Sequence, residues 1–190
     1  MSKVKKLLLF EEHVCPWWLA YTFDHRLRRL IQNPEKILKP YVRRGMTVVD
    51  IGCGMGFFSI AMAKMVGENG TVISVDLQQK MLDVLCKRAE NENIPTNIIK
   101  HKCDQNNLGI DQTADFVLSF WMLHEVPDKK HFIKQVFAVL KPAGQFLIVE
   151  PKIHTDRSYF DEIVTVCKQS GFLLRGYPKI FMSRSILFIK

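Results

Sequence analysis

Five cysteines, Cys15, Cys53, Cys86, Cys103 and Cys167, are scattered through 190 residues, and no two form a C-x-x-C pair. An odd count without paired spacing argues against a disulfide framework or a zinc ribbon, and for a reducing compartment. Long apolar runs are also missing. The stretch Leu7 to Phe10 gives way at once to Glu11 and Glu12, too short for a signal-peptide core, and no segment approaches a membrane span. A soluble, cytoplasmic protein without a metal site is expected. Two nucleotide signatures are absent as well. No G-x-x-x-x-G-K-[ST] occurs, and a G-x-G-x-x-G begun at Gly52 would need its third glycine where Phe57 stands. Neither an internal repeat nor a low-complexity segment is visible.

What is present fits one domain with a proper core, since 47% of residues are hydrophobic and 24% charged. Residues 1–190 are expected to form that domain, with 1–44 a helical extension and 45–190 an α/β core. The net charge of +8 is uneven. Residues 1–44 carry ten Lys/Arg against four Asp/Glu, while 45–190 carry 17 against 15. The basic character therefore belongs to the extension, as a solvated helix face or as a patch for an anionic partner.

Along the chain, Pro16 to Ile31 reads as an amphipathic helix with apolar residues at 19, 23, 27, 30 and 31, and with Arg26, Arg28 and Arg29 facing elsewhere. Asn33 suits the cap of a short helix from Pro34 to Leu38. From Thr47 strands and helices alternate. Strands are expected at 47–51, 71–76, 97–101, 115–119, 145–150, 172–177 and 185–189, and helices at 57–66, 78–92, 128–140 and 156–169. Such alternation specifies a parallel sheet with helices on both faces. The last two strands are joined only by Pro178 to Arg184, so they should pair antiparallel.

Ligands of open α/β sheets bind beyond the carboxyl ends of the strands. Four polar or small-residue clusters fall at such ends: Asp50 to Gly56, Asp76, Asp104 to Asn106, and Ser119 to Glu125. In Asp50-Ile51-Gly52-Cys53-Gly54-Met55-Gly56 a buried strand ends in a carboxylate, turns through glycines and enters a helix. The glycines let a ligand approach the main chain. The carboxylate would repel a pyrophosphate but favour an ammonium or sulfonium group. Asp76 at the second strand end can accept both hydroxyls of a ribose, and Asp104 with Gln105 and Asn106 can pair with an adenine.

These residues resemble the motifs of the class I S-adenosylmethionine-dependent methyltransferases, in their small-molecule, type 11-like branch, over roughly residues 45–190. Val48 to Gly56 is similar to the first motif, Ile73 to Asp76 to the second, and Cys103-Asp104 to the third-strand acid. Asp115 to Ser119, followed by Leu123-His124-Glu125-Val126-Pro127-Asp128, looks like the fourth, and Leu140 to Gln145 like the "L-K-P-G-G" turn with Ala143 replacing its first glycine. The resemblance implies a Rossmann-like, doubly wound seven-stranded sheet in the order 3-2-1-4-5-7-6, its last strand antiparallel. It implies direct methyl displacement from S-adenosyl-L-methionine to a small-molecule acceptor, leaving S-adenosyl-L-homocysteine, with an N-terminal helical lid. Cofactor contacts would come from Asp50, Gly52, Cys53, Gly54, Asp76, Leu77, Asp104, Gln105 and Phe120.

His124 follows the fourth strand, where the methyl group should point. It reads equally as a catalytic base and as a residue packing the loop against the main chain. Trp17, Trp18, Tyr21 and Trp121 are expected to flank the acceptor. Glu125 and Glu150 lie near strand ends, to touch an acceptor or to solvate a loop. Cys86 and Cys167 read as core, while Cys15 and Cys103 read as core thiols or soft ligands for a metalloid. Two other functions remain open: a nucleic-acid methyltransferase using the basic extension, although Ser119-Phe120-Trp121-Met122 is not an N/D-P-P-Y motif, and a non-catalytic cofactor-binding partner module.

Overall fold

The computed structural model describes residues 26–94, 97–153 and 155–190. Most of the N-terminal helix expected from Pro16, with Cys15, Trp17, Trp18, Tyr21 and His25, lies outside the described residues. Helix α1 (Arg26–Ile31) and the short α2 (Pro34–Leu38) precede the sheet. Asn33 caps α2, its side-chain oxygen accepting from the Lys36 N–H at 2.8 Å with Pro34 at the first helical position.

Seven strands follow: β1 (Thr47–Ile51), β2 (Thr71–Asp76), β3 (Ile98–Lys102), β4 (Ala114–Phe120), β5 (Leu140–Pro151), β6 (Leu173–Gly176) and β7 (Ser183–Ile189). Between them run α3 (Phe57–Val66), α4 (Gln79–Asn91), α5 (Lys129–Val139) and α6 (Arg157–Gln169). The order is β3-β2-β1-β4-β5-β7-β6. Strand β7 runs antiparallel to both β5 and β6, as the short final connection requires.

Both faces of the sheet are covered, which explains why its central strands are apolar at nearly every position. Val49, Val117, Phe146 and Ile148 pack under α5 and α6, against Phe132, Ile133, Val136, Phe160 and Ile163. Their strand neighbours Val48, Phe116, Leu118 and Leu147 turn the other way, to Leu38 of α2 and to Phe58, Ala61 and Met62 of α3. Consecutive residues alternate between two dry cores, so a one-residue slip in any central strand would exchange them. As expected, Cys167 is buried, and Cys86 packs at the edge of a small cluster with Leu82 and Leu85 of α4.

Beyond shifts of one or two residues at several element ends, two features differ from the sequence expectation. Ile31, placed on the inward stripe of α1, is 54% exposed, while the neighbouring Gln32 is buried and bonded to Arg28. Strand β5 begins at Leu140 rather than 145, because Leu140 already pairs with Ala114 before the register shifts. The intervening turn is held from the other side: the Ala143 N–H donates to the Lys190 carbonyl, and the Lys190 N–H to that of Gly144.

Ala143 pays for this turn with a φ of +64°. An L-residue there costs about 1–2 kcal/mol, part of which glycine loses again as unfolded-state entropy. Ala143 is exposed, so no packing is lost on substitution. Ala143→Gly should therefore raise the thermal midpoint by about 1–3 °C, measured by calorimetry. An unchanged or lower midpoint would show that the turn has relaxed its strain.

Candidate functional site

The carboxyl ends of β1, β2 and β4 open onto one cavity of about 310 Å³. Asp50, Gly52, Cys53, Gly54, Asp76, Leu77, Asp104, Gln105, Phe120, Trp121 and His124 all line it, so sequence positions 50 to 124 converge as expected from the four strand-end clusters.

The glycine loop is the floor. Gly52 has a φ of +70°, and a Cβ there would sit 2.5 Å from Cγ of Met122. Gly56 has a φ of +87° at the start of α3, where a Cβ would meet Cγ of Leu85 at 2.7 Å. Both glycines are required by conformation and by space. The Gly52 and Cys53 N–H groups both donate to the Val75 carbonyl, tying the loop to β2. A Cβ on Gly54, by contrast, would meet nothing within 4 Å, so this glycine keeps open the space beside the loop.

Helices α2, α5 and α6 are capped by the side chains of Asn33, Asp128 and Asp156. Helices α3 and α4, which start beside the cavity after Gly56 and Gln78, have no side-chain cap. Without a side-chain cap, the positive dipole ends of these two helices act on the cavity, which Phe57, Phe58 and Gln78 line.

Two carboxylates face this floor. Asp76 accepts from the Gly54 N–H at 2.9 Å through Oδ2 and from the Gln78 N–H at 2.8 Å through Oδ1. Burial pushes its pKa up, against the lowering effect of those amides. Asp50 is 2% exposed and accepts from the Ser59 hydroxyl of α3 at 2.6 Å. Burial raises its pKa to about 6; the Ser59 hydrogen bond opposes this, and the charge of Asp76 adds to it. Two buried carboxylates held high in pKa make a cavity that gains from a cation. The thiols beside them stay protonated: burial carries Cys103 to about 11, and Cys53 is also raised.

Aromatic side chains line the cavity as well. Phe120 packs on Phe58 with ring centroids 4.3 Å apart, and Trp121 lies 5.6 Å from Phe120. Trp121 has a φ of +57°, a strained conformation for a bulky residue. Its N–H donates to the Val149 carbonyl at 2.7 Å and its indole N–H to the Ser183 hydroxyl at 2.9 Å. These bonds hold the strained backbone against β5 and β7.

Arg28 also lines the cavity, where the helical pattern had turned it elsewhere. Its guanidinium lies 4.4 Å from the Phe57 ring centroid and 5.2 Å from that of Trp121. The apolar periodicity of α1 sees only its own stripe. The aromatic partners come from α3 and the end of β4, so spacing within the helix carried no signal for this placement.

The most informative polar contact joins His124 to Glu150, residues from the ends of adjacent strands. Glu150 is 0% exposed. Its carboxylate accepts from the backbone N–H groups of Leu123 at 3.0 Å and His124 at 3.2 Å, and lies 2.6 Å from Nδ1 of His124. Glu150 thus neither solvates a loop nor lines the cavity; it holds the His124 segment. Burial pulls the imidazole pKa down, but the hydrogen bond and charge of Glu150, with Glu125, outweigh it and leave the pKa above its ordinary value. The Glu150 contact engages Nδ1, so Nε2 is the ring nitrogen remote from the carboxylate.

The sheet order, the glycine loop and the cavity beyond the strand ends define the class I S-adenosylmethionine-dependent methyltransferase fold. Residues 43–175 match a family described as a methyltransferase domain, and the chain belongs to that family. Among curated relatives, a demethylmenaquinone methyltransferase of Lactobacillus johnsonii is 38% identical over 72% of this chain and 59% of its own length. A ubiquinone/menaquinone biosynthesis C-methyltransferase UbiE of Haemophilus ducreyi is 34% identical over 57% of this chain and 42% of its own. The chain thus spans less than two thirds of the length of either relative. A crystal structure of a SAM-dependent methyltransferase from Aquifex aeolicus superposes with a TM-score of 0.83 at 23% identity, covering 93% of this chain and 99% of that one. At that identity the likeness speaks for the fold.

Proposed function

We propose that the protein is an S-adenosylmethionine-dependent methyltransferase acting on a small aromatic acceptor of the quinol type, at a ring carbon. The observation that carries this reading is the His124–Glu150 pair beside a cavity lined by buried carboxylates and aromatic rings. Relatives named for quinone-ring C-methylation support the acceptor class.

The cavity suits the donor in three respects: Gly54 leaves space beside the loop, the two raised carboxylates favour a cation, and the uncapped helix starts of α3 and α4 favour an anionic carboxylate. In this assignment Gly52, Cys53 and Gly54 offer backbone contact, and Asp76 with Leu77 holds the ribose. Asp104 and Gln105 reach the adenine, Asp50 balances the cationic end, and Phe120 walls it. When bound, the donor supplies a methyl group already activated on a sulfonium, and leaves as S-adenosylhomocysteine.

The protein's own work is alignment and one proton. Trp121 and Phe120 would set the plane of an aromatic acceptor in the cavity, so that its nucleophilic carbon aligns with the methyl group of a donor held beside them. His124 accepts the acceptor's hydroxyl proton at Nε2, with Glu150 steadying the resulting imidazolium through Nδ1. The oxygen's electron pair moves into the ring as the new carbon–carbon bond forms. That carbon then loses its hydrogen as a proton to water, which restores the aromatic ring as a phenolate. The phenolate takes back the proton held on Nε2 of His124, so that one proton is released overall.

Incubation with methyl-labelled S-adenosylmethionine and a reduced demethylated naphthoquinol tests this. Label in a methyl group bonded to a ring carbon, with one S-adenosylhomocysteine per product, is expected. Label on oxygen, or turnover only with RNA, would overturn the acceptor assignment; cofactor binding without turnover across acceptors would favour a binding module.

Asp76→Ala should weaken S-adenosylhomocysteine binding by at least about tenfold, because it removes a charged acceptor worth about 1.5–3 kcal/mol and frees the Gly54 amide it fixes. Calorimetry with unchanged affinity would move the ribose away from β2.

A further inference from the structure

The surface beside the cavity mouth carries large exposed apolar side chains, most of which neither the fold nor the methyl-transfer site employs. Tyr177 and Phe181 are each 60% exposed, Met182 is 50% exposed and Ile153 is 77% exposed. They come from two segments at the carboxyl end of the sheet, the β5–α6 turn and the β6–β7 loop. The segments are side by side: Pro151 pairs with Ser183, and the Lys152 N–H donates to the Met182 carbonyl at 3.1 Å. Ile153 also lines the cavity, and the Trp121 indole reaches Ser183, so the patch is continuous with the cavity wall.

Its charge is one-sided. From Ile163 to the last residue there is no Asp or Glu, and of the five Lys/Arg there, Arg175, Lys179 and Arg184 fall on the end of β6, the β6–β7 loop and the start of β7. The other two lie elsewhere: Lys168 is in the last turn of α6, and Lys190 bonds the Phe137 and Leu140 carbonyls at the other end of the sheet. Arg175 and Lys179 flank Tyr177, and Lys152 and Arg184 line a polar hollow next to Ile153. The carboxylate in that hollow, Asp156, accepts the Tyr159 N–H as the cap of α6. Exposed apolar and aromatic residues rimmed by cations match a surface that is apolar below and anionic above. Among the described residues no helix is long and apolar enough to cross a membrane, so contact would be from one side.

We infer that the β6–β7 loop and the β5–α6 turn form a docking surface for an anionic lipid bilayer, which sets the cavity mouth against the membrane. Tyr177, Phe181, Met182 and Ile153 enter the headgroup boundary, while Lys152, Arg175, Lys179 and Arg184 meet lipid phosphates. The consequence for catalysis, that a lipid-soluble acceptor enters without crossing water, rests on the proposed quinol chemistry. The docking itself does not.

The test is sedimentation of the full-length protein with vesicles of phosphatidylcholine alone or mixed with phosphatidylglycerol. Binding to the mixed vesicles is expected, weakening as salt rises. The double variant Tyr177→Ser/Phe181→Ser should lose about tenfold or more of that affinity, and Lys179→Glu severalfold. Unchanged circular dichroism and S-adenosylhomocysteine affinity in these variants show that the fold and site are intact. Three results overturn the inference: no preference for anionic vesicles, wild-type binding in the double variant (which assigns the contact to the N-terminal extension), or a wild-type dimer that the double variant converts to a monomer. Turnover on a short-chain, water-soluble quinol separates the two readings. Vesicle binding without that turnover defeats the acceptor assignment alone, and turnover without vesicle binding defeats the docking surface alone.

Discussion

His124→Ala is expected to lower kcat by about 10²–10⁴-fold, the usual contribution of a positioned general base, while leaving S-adenosylhomocysteine affinity near the wild-type value. The separation follows from where the residue sits. Its ring lines the cavity beyond β4, whereas the glycine loop and Asp76 belong to β1 and β2. The pH profile tests its role as a base. Glu150 holds the imidazole pKa above its ordinary value, so kcat/KM should rise with pH through a midpoint above about 6.5 as the ring becomes neutral. Glu150→Gln removes the charge that raises the pKa. Its midpoint should move down while its ceiling falls, because the imidazolium formed in the reaction loses its partner.

Stability runs the opposite way. A raised histidine pKa gives a contribution that is complete below the unfolded-state value and is lost as pH rises through the folded-state value. The enzyme should therefore be most active on the side of the titration where this pair contributes least to stability. A His124→Ala variant with wild-type kcat and an unshifted profile would show that the acceptor loses its proton elsewhere and that His124 only packs the loop.

The sequence disclosed the sheet because its central strands are buried on both faces. Val48-Val49, Val72-Ile73 and Phe116-Val117-Leu118 are continuous apolar runs that no solvent-facing element would carry. The antiparallel end was equally legible, since too few residues lie between β6 and β7 for a crossover. Asp50, the glycines, Asp76 and Asp104 could be placed together because each follows a strand that ends on the same side. Side-chain pairing was another matter. The Glu150–His124 contact needs β4 beside β5 in a particular register, with Ser119 opposite Ile148, so that the two chain ends meet just beyond it. Nothing within either segment encodes that register. Ser59 was hidden for a related reason: it looks like a polar intrusion in an apolar helix until Asp50 is found beneath it. The early start of β5 is not legible in the sequence because Lys141 to Gly144 has the composition of a turn, and only the pairing of Leu140 with Ala114 and of the turn with Lys190 makes it part of a strand.

Asp50→Asn should make the ligand-free protein more stable at neutral pH and bind its cofactor less well. Asp50 is buried with Ser59 as hydrogen-bond donor, and burial raises its pKa from an ordinary carboxylate value to about 6. A folded-state value above the unfolded one means that the native state holds the proton more tightly. Stability therefore falls as pH rises from about 4 to about 6, and above that window the ionised group costs on the order of 3 kcal/mol. Asparagine keeps an oxygen for the Ser59 hydroxyl and removes the charge, so urea unfolding at pH 7 should recover much of that amount, with little difference from wild type at pH 4.

The cofactor should reverse the balance. A cation entering the cavity favours the ionised form of Asp50, so donor affinity should rise with pH through about 6, and binding near that pH should release a proton. Titration calorimetry in buffers of different ionisation enthalpy measures this release directly, and Asp50→Asn should abolish it. If the variant gains no stability at pH 7, Asp50 is already neutral or paired in the free protein. If the wild type releases no proton on binding near pH 6, the cationic end of the donor does not lie over Asp50. With both effects present, a buried carboxylate that destabilises the ligand-free protein at neutral pH is one that the bound sulfonium nucleoside neutralises, and donor binding and folding are coupled through it.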